Sequence, residues 1–182
     1  YKNVDYLRVY LPQGSELISA SGFVKPADNY FLPAPEHYQA DADLTRIETA
    51  VKIDSSSQTR ISHEFGKTVF GNWVQTDLGE TSVVVLKYRL PFRLPLAELR
   101  QPKSWWDNLK SDLGLPEAMA SYGLLVQKQP GSQANQFNHQ LKFQFNPQVV
   151  WQYPAEYKKN NESWQMTAKI DGDKFFGLVF KE

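Results

Sequence analysis

Apolar or β-branched residues occupy every second position in segment after segment of this chain. Ile47, Thr49, Val51 and Ile53 form one such series, and Tyr122, Leu124 and Val126 another. Leu141, Phe143 and Phe145 follow, then Trp164, Met166, Ala168 and Ile170. Period two puts each series on one face of an extended strand, and a 3.6-residue helix cannot do so. Turn chemistry separates the segments: Pro12-Gln13-Gly14, Asp54 to Gln58, Asp77 to Glu80, Lys128 to Ser132, and Asp171-Gly172-Asp173. Such spacing commits a chain to β-structure whatever else it contains.

Hairpins are expected across the polar loop Asp54 to Gln58 and at two tighter turns. Val4 to Leu11 turns at Pro12-Gln13-Gly14 into Ser15 to Phe23, and Trp164 to Ile170 turns at Asp171-Gly172-Asp173 into Phe175 to Phe180. Ile61, His63 and Phe65 share a face, Gly66 breaks that strand as a bulge or kink, and Thr68 to Val74 starts another. Thr81 to Leu90 is the most apolar segment. Its Val83-Val84-Val85-Leu86 run would fill both faces of a strand, which predicts a central position covered on both sides.

Pro26, Pro33 and Pro35, with Asp28 and Asn29, predict a surface loop over 25–45. Residues 91–119 carry Pro91, Pro95, Pro102 and Pro116 around one helical pattern. Ser104 suits its N-cap, Gly114 the residue past its end, and Trp105, Leu109 and Leu113 recur at i, i+4 and i+8. The total is about nine or ten strands and one helix, which excludes a parallel α/β sheet. The expected fold is an all-β, antiparallel β-sandwich, immunoglobulin-like, with one short helix in a long crossover. One domain over 1–182 is expected, as the C-terminal part of a longer protein, and as a monomer.

Composition narrows the function. Lys plus Arg and Asp plus Glu are each 20, for a net charge of zero spread evenly along the chain. That argues against nucleic acid as a partner, because such affinity comes from an excess of cations over phosphates. No run of 18 apolar residues exists to span a membrane as a helix. With no cysteine, disulfides, thiolate metal sites and cysteine nucleophiles are excluded.

Three islands carry a likeness. They are Tyr6-Leu7-Arg8-Val9-Tyr10-Leu11-Pro12-Gln13-Gly14-Ser15-Glu16-Leu17, Glu64-Phe65-Gly66-Lys67-Thr68-Val69-Phe70-Gly71-Asn72-Trp73, and Gln127-Lys128-Gln129-Pro130-Gly131. Tyr88-Arg89-Leu90-Pro91-Phe92 lies between the last two. In this order they resemble the C-terminal region of domain-of-unknown-function family 4012, over most of residues 5–131. Proteins of that family have an N-terminal membrane anchor and a large part outside the bacterial membrane. The resemblance therefore implies an extracytoplasmic place, at the surface or in the envelope of a bacterium, under a membrane-anchored parent. It carries no activity and no catalytic residues.

The residues themselves offer little chemistry. His37, His63 and His139 are isolated from one another, and His63-Glu64 lacks the second His of a zinc protease, since position 67 is Lys67. Gly66-Lys67-Thr68 imitates the end of a phosphate loop, but Ile61 stands where its first Gly belongs. Ser15 and Ser132 follow glycines without the Gly-x-Ser-x-Gly frame of a nucleophile elbow. Asp171 and Asp173 are turn residues. Asp41, Asp43 and Asp28 are oxygen ligands a calcium ion could use, without the spacing of a dedicated loop. No metal, cofactor or catalytic residue is expected.

Aromatics are the remaining lead: five Trp and nine Tyr. Exposed rings stack on sugars or anchor proteins. Trp105 and Trp106 point about 100° apart on the expected helix. Trp105 shares the Leu109 and Leu113 stripe, while Trp106 shares its face with Lys103 and Lys110. Both are candidate binding residues, with Trp106 the more exposed. The expectation is a non-catalytic surface module with a scaffold or binding role, presenting loops 25–45 and 91–119 for recognition of a protein or cell-wall glycan. The alternative is a module that binds carbohydrate or cell wall through exposed aromatics; a hydrolase is the third reading. Exposed coplanar Trp or Tyr would favour the carbohydrate module, and a cleft holding a His or carboxylate pair the hydrolase.

Overall fold

The computed structural model describes residues 2–39, 41–93, 119–128, 130, 135–143, 146–160 and 163–181. Among these residues strand makes up 56% and helix 6%, and every paired strand runs antiparallel, as an all-β protein requires. The chain, expected to form one domain over 1–182, gathers into two compact units, Tyr1–Phe92 and Arg93–Glu182. The helix expected over 104–113 lies outside the described residues, and so do Trp105 and Trp106.

The first unit contains β1 (Asn3–Pro12), β2 (Glu16–Ser21), α1 (Ala42–Ile47), β3 (Thr49–Ile53), β4 (Arg60–Glu64), β5 (Lys67–Thr76) and β6 (Val85–Arg89). β1, β5, β4 and β3 form one sheet in that order, and β2 pairs with β6 in another. Leu11, Ile61 and Phe70 are its buried apolar centre, with Val9 and Leu17 packed against them.

Several expectations fail here for one reason. The reversal at Pro12-Gln13-Gly14 exists: Ser15 N–H donates to Pro12 O at 3.1 Å, and Gly14 takes φ +90°. Yet β1 and β2 do not pair. β1 joins β5 and β2 joins β6, so the turn carries the chain from one sheet to another. Thr81 to Leu90 is not a central strand. Only Val85–Arg89 is strand, its one partner among the described residues is β2, and Val83 and Val85 are 71% and 54% exposed. An apolar run fills two faces only where neighbours cover both, and among the described residues no strand pairs along the far edge of β6.

β3 is likewise exposed along its whole length rather than half-buried, and Ile47 belongs to α1. Phe65 does not share the face of Ile61. It sits at the β4–β5 turn with φ +49°, beside Gly66 at +68°, so Gly66 serves a tight reversal rather than a bulge. Within the expected loop 25–45, Asp28–Tyr30 forms a turn of 3-10 helix. The Asp41 carboxylate caps α1 by accepting from Asp43 N–H at 2.8 Å and Leu44 N–H at 3.2 Å.

The second unit contains β7 (Ala120–Val126), β8 (Asn135–Lys142), β9 (Gln148–Tyr153), β10 (Lys158–Asn160), β11 (Ser163–Ile170) and β12 (Lys174–Lys181). Its sheets are ordered β7-β12-β9 and β10-β11-β8. The hairpin expected at Asp171-Gly172-Asp173 is again a corner, because β11 pairs with β8 and β10 while β12 pairs with β7 and β9. Ala120, Phe176, Leu178 and Phe180 from one sheet meet Trp164 of the other, with Phe143 and Tyr157 from the flanking segments, in one buried cluster. Phe137 stacks on Phe176 at 5.5 Å, and Phe143 meets Phe180 edge-on at 5.1 Å.

Candidate functional site

β12 alternates about that core, and its register with β9 shifts between Val179 and Phe180. Phe176, Leu178 and Phe180 point inward on the central strand β12, so Phe175, Gly177 and Val179 point outward. Register places Gly177 beside Gly123 on one side and Tyr153 on the other, and Val179 beside Trp151. Trp151, Tyr153 and Phe175 therefore share the outer face.

They are 49%, 51% and 46% exposed. The Trp151 and Tyr153 rings lie within 11° of parallel with centroids 6.4 Å apart, and Phe175 follows 6.2 Å from Tyr153 at 31°. Glycine makes room for them. A Cβ at Gly177 would stand 2.9 Å from both the Trp151 and Phe175 rings, and one at Gly123 would stand 3.4 Å from Phe175. The rings thus lean over a floor without side chains and turn one face to water. Together with Leu125 at 57% exposure, they make an apolar aromatic platform.

Beneath this sheet lies His139, whose two ring nitrogens are both engaged. Nε2 is 3.1 Å from the Tyr122 hydroxyl, and Nδ1 is bonded to the Tyr157 hydroxyl. The imidazole is parallel to Tyr122 within 6° and to Phe137 within 9°. A neutral imidazole offers one N–H and one lone pair, so one phenol accepts and the other donates. Neither nitrogen is left to act on a substrate. Burial pushes the His139 pKa down, and burial with the nearby Tyr122 phenol pushes Tyr157 up to about 12.

His139 therefore stays neutral in the fold at pH values where an unfolded histidine is already charged. Its contribution to stability is fully present above pH 6.5. It is lost as pH falls from 6.5 toward the depressed folded value, because the unfolded chain then binds the extra proton. The denaturation midpoint should fall on acidification through that window, and His139→Gln should flatten this dependence. An unchanged slope in the variant would assign the effect to other groups.

The first unit carries a charge cluster. The Arg8 guanidinium reaches Glu64 and also Glu48 at 3.3 Å, and Arg60 binds the other Glu48 oxygen. Ser62 Oγ donates to Glu64 at 2.6 Å and Tyr10 OH at 3.2 Å. Gly71 separates Arg8 from Arg60 across β5, and the Tyr6 ring lies over it. Burial pushes the Tyr6 pKa upward. Each carboxylate is held by arginine, so the cluster ties strands together and presents no unengaged acid or base.

Other sequence candidates are dispersed. His37 lies exposed against Tyr38 at 5.0 Å, and His63 is half-buried on β4. Ser15 is buried and donates to Pro12 O at 2.7 Å, while Ser132 lies outside the described residues. Asp43 pairs with Arg46, Asp28 with Lys25 and Asp171 with Lys174, and Asp173 accepts from Lys128 N–H. Among the described residues no three His, Asp or Glu side chains gather as a metal site.

Trp151 is one of the five Trp, but the sequence pattern predicts no strand over Gln148–Tyr153. The usable signal was Trp151-x-Tyr153 between Pro147 and Pro154, together with Phe175-x-Gly177. No protein-family model, curated protein or solved structure matches the chain.

Proposed function

We propose that the chain is a non-catalytic, extracytoplasmic β-sandwich module, immunoglobulin-like in layout, of a bacterial membrane-anchored surface protein. Its work is to bind glycan on the outer face of β7-β12-β9. The observation that carries this reading is the platform of Trp151, Tyr153 and Phe175 over Gly177. A ring with one face on the sheet and one in water is about half exposed, as these three are. The apolar C–H face of a pyranose packs on such a ring while its hydroxyls remain hydrated.

Area separates the glycan from a protein partner. An aromatic side chain buries about 150–250 Å² in full, so three half-exposed rings offer roughly 200–400 Å². A stable protein interface takes about 800 Å² per partner. The platform suits a few sugar rings. The envelope location follows from the family resemblance.

Titration calorimetry of the full chain with cello- and chito-oligosaccharides tests the reading. Trp151→Ala and Tyr153→Ala should each weaken binding about tenfold or more, while the denaturation midpoint changes little. Gly177→Ala should weaken it too, because the added methyl would displace both neighbouring rings. Undetectable millimolar binding across the panel, or a Trp151→Ala variant that binds like wild type, would refute the platform.

A further inference from the structure

The outer face of the other sheet in the same unit has opposite chemistry. On β10-β11-β8, Trp164, Met166 and Ala168 face the core with Phe137 and Leu141. The outward row is Lys158, Gln165 and Gln140, held side by side by register, with Thr167 beside Asn138. These residues line a groove of about 1030 Å³, with Lys159 and Glu156 at its border.

The groove's amides are oriented. Gln140 and Gln165 both donate through Nε2 to Ser163 Oγ, at 3.3 and 2.9 Å. Their Oε1 atoms are thereby left as acceptors. Thr167 Oγ1 donates to Asn138 Oδ1 at 2.8 Å, which leaves the Asn138 NH₂ as a donor. Acceptors and a donor held this way on adjacent strands suit a molecule bearing several hydroxyls.

The charge is one-sided. Lys159 Nζ is steadied by Asn146 Oδ1 at 2.5 Å, a neutral partner. Lys158 has no ion pair among the described residues. Lys158 stands in the outward row beside Gln165, while Lys159, in register with the buried Trp164, reaches the groove from the edge strand; Glu156 is the carboxylate among the lining residues.

We propose that this groove binds an anionic, hydroxyl-bearing ligand, an acidic saccharide, with its hydroxyls on Asn138, Gln140 and Gln165 and its anionic group on Lys158 and Lys159. The site is separate from the aromatic platform and does not depend on it.

Titration of the full chain with oligogalacturonate tests this, with poly(glycerol phosphate), neutral cello-oligosaccharide and inorganic phosphate as the other arms. Binding of oligogalacturonate that weakens with added salt, falls about tenfold in Lys158→Ala/Lys159→Ala and severalfold in Gln165→Ala, and persists in Trp151→Ala is the expected result. Poly(glycerol phosphate) binding with the same lysine dependence would support the same chemistry and identify phosphate as the anionic group. Neutral oligosaccharide bound as tightly and with the same side-chain dependence would overturn the anionic assignment. Inorganic phosphate bound as tightly as either polymer would overturn the role of the hydroxyls. No binding in any arm, or binding indifferent to the double lysine variant, would overturn the site.

Discussion

Phe176→Ala is expected to lower the free energy of unfolding by about 3–5 kcal/mol, the cost of removing a buried phenyl ring. Phe176 is 1% exposed at the centre of β12, and it touches both sheets of its unit. Phe137 stacks on it at 5.5 Å, and the His139 and Tyr157 rings lie 6.0 and 6.5 Å away. Leu178 and Phe180, also on β12, are fully buried, so little around the vacated volume can collapse into it. A domain is stable by only about 5–15 kcal/mol in total, so the loss should be plain in a denaturant titration. The adjacent Phe175→Ala is the control. Its ring is on the platform, 46% exposed, and about 1 kcal/mol is expected. A larger loss from Phe175 would reverse the two faces of the sheet, and the glycan platform would become core.

Arg8→Met is expected to cost about 3 kcal/mol. Glu64 keeps 2% of its side chain in water, and Arg8 supplies its positive partner. Ser62 and Tyr10 would still donate hydrogen bonds to the carboxylate, but neutral donors do not cancel its charge. Breaking a buried pair costs about 3–5 kcal/mol because one charge is left uncompensated. The low end applies because Arg8 keeps 33% of its side chain exposed. In a Glu64→Gln background the same Arg8 substitution should cost about 1 kcal/mol or less, since no buried charge remains to be orphaned. Equal losses in both backgrounds would place the effect in packing rather than in the pair.

Strand positions were largely legible, because period two and turn chemistry are local properties. Tyr122, Leu124 and Val126 do face inward, as do Trp164, Met166 and Ala168, and turns stand at Gly14, Asp77 and Gly172. The strand expected over Leu141, Phe143 and Phe145 lies earlier, at Asn135–Lys142, where polar Asn and Gln occupy the outward positions, and Phe143 follows its end. The sequence pattern predicts no strand at Gln148–Tyr153 or Lys158–Asn160: the first is short and bounded by Pro147 and Pro154, and the second is three polar residues. They acquire strand character only by pairing with β12 and β11.

The sequence by itself determined that this chain is antiparallel β-structure, where it reverses, and which side chains in a strand share a face. Only the tertiary structure decided what each strand pairs with and which face is covered. Pro12-Gln13-Gly14 and Asp171-Gly172-Asp173 specify a reversal, and a reversal serves a hairpin or a passage between sheets equally well. Val83, Val85, Trp151 and Tyr153 are all large and apolar, and all remain substantially in water. Burial is not a property of a segment; it depends on what distant parts of the chain bring across from it. On the outer face of β12 none of the described residues of its unit does so, and the candidate site exists for that reason.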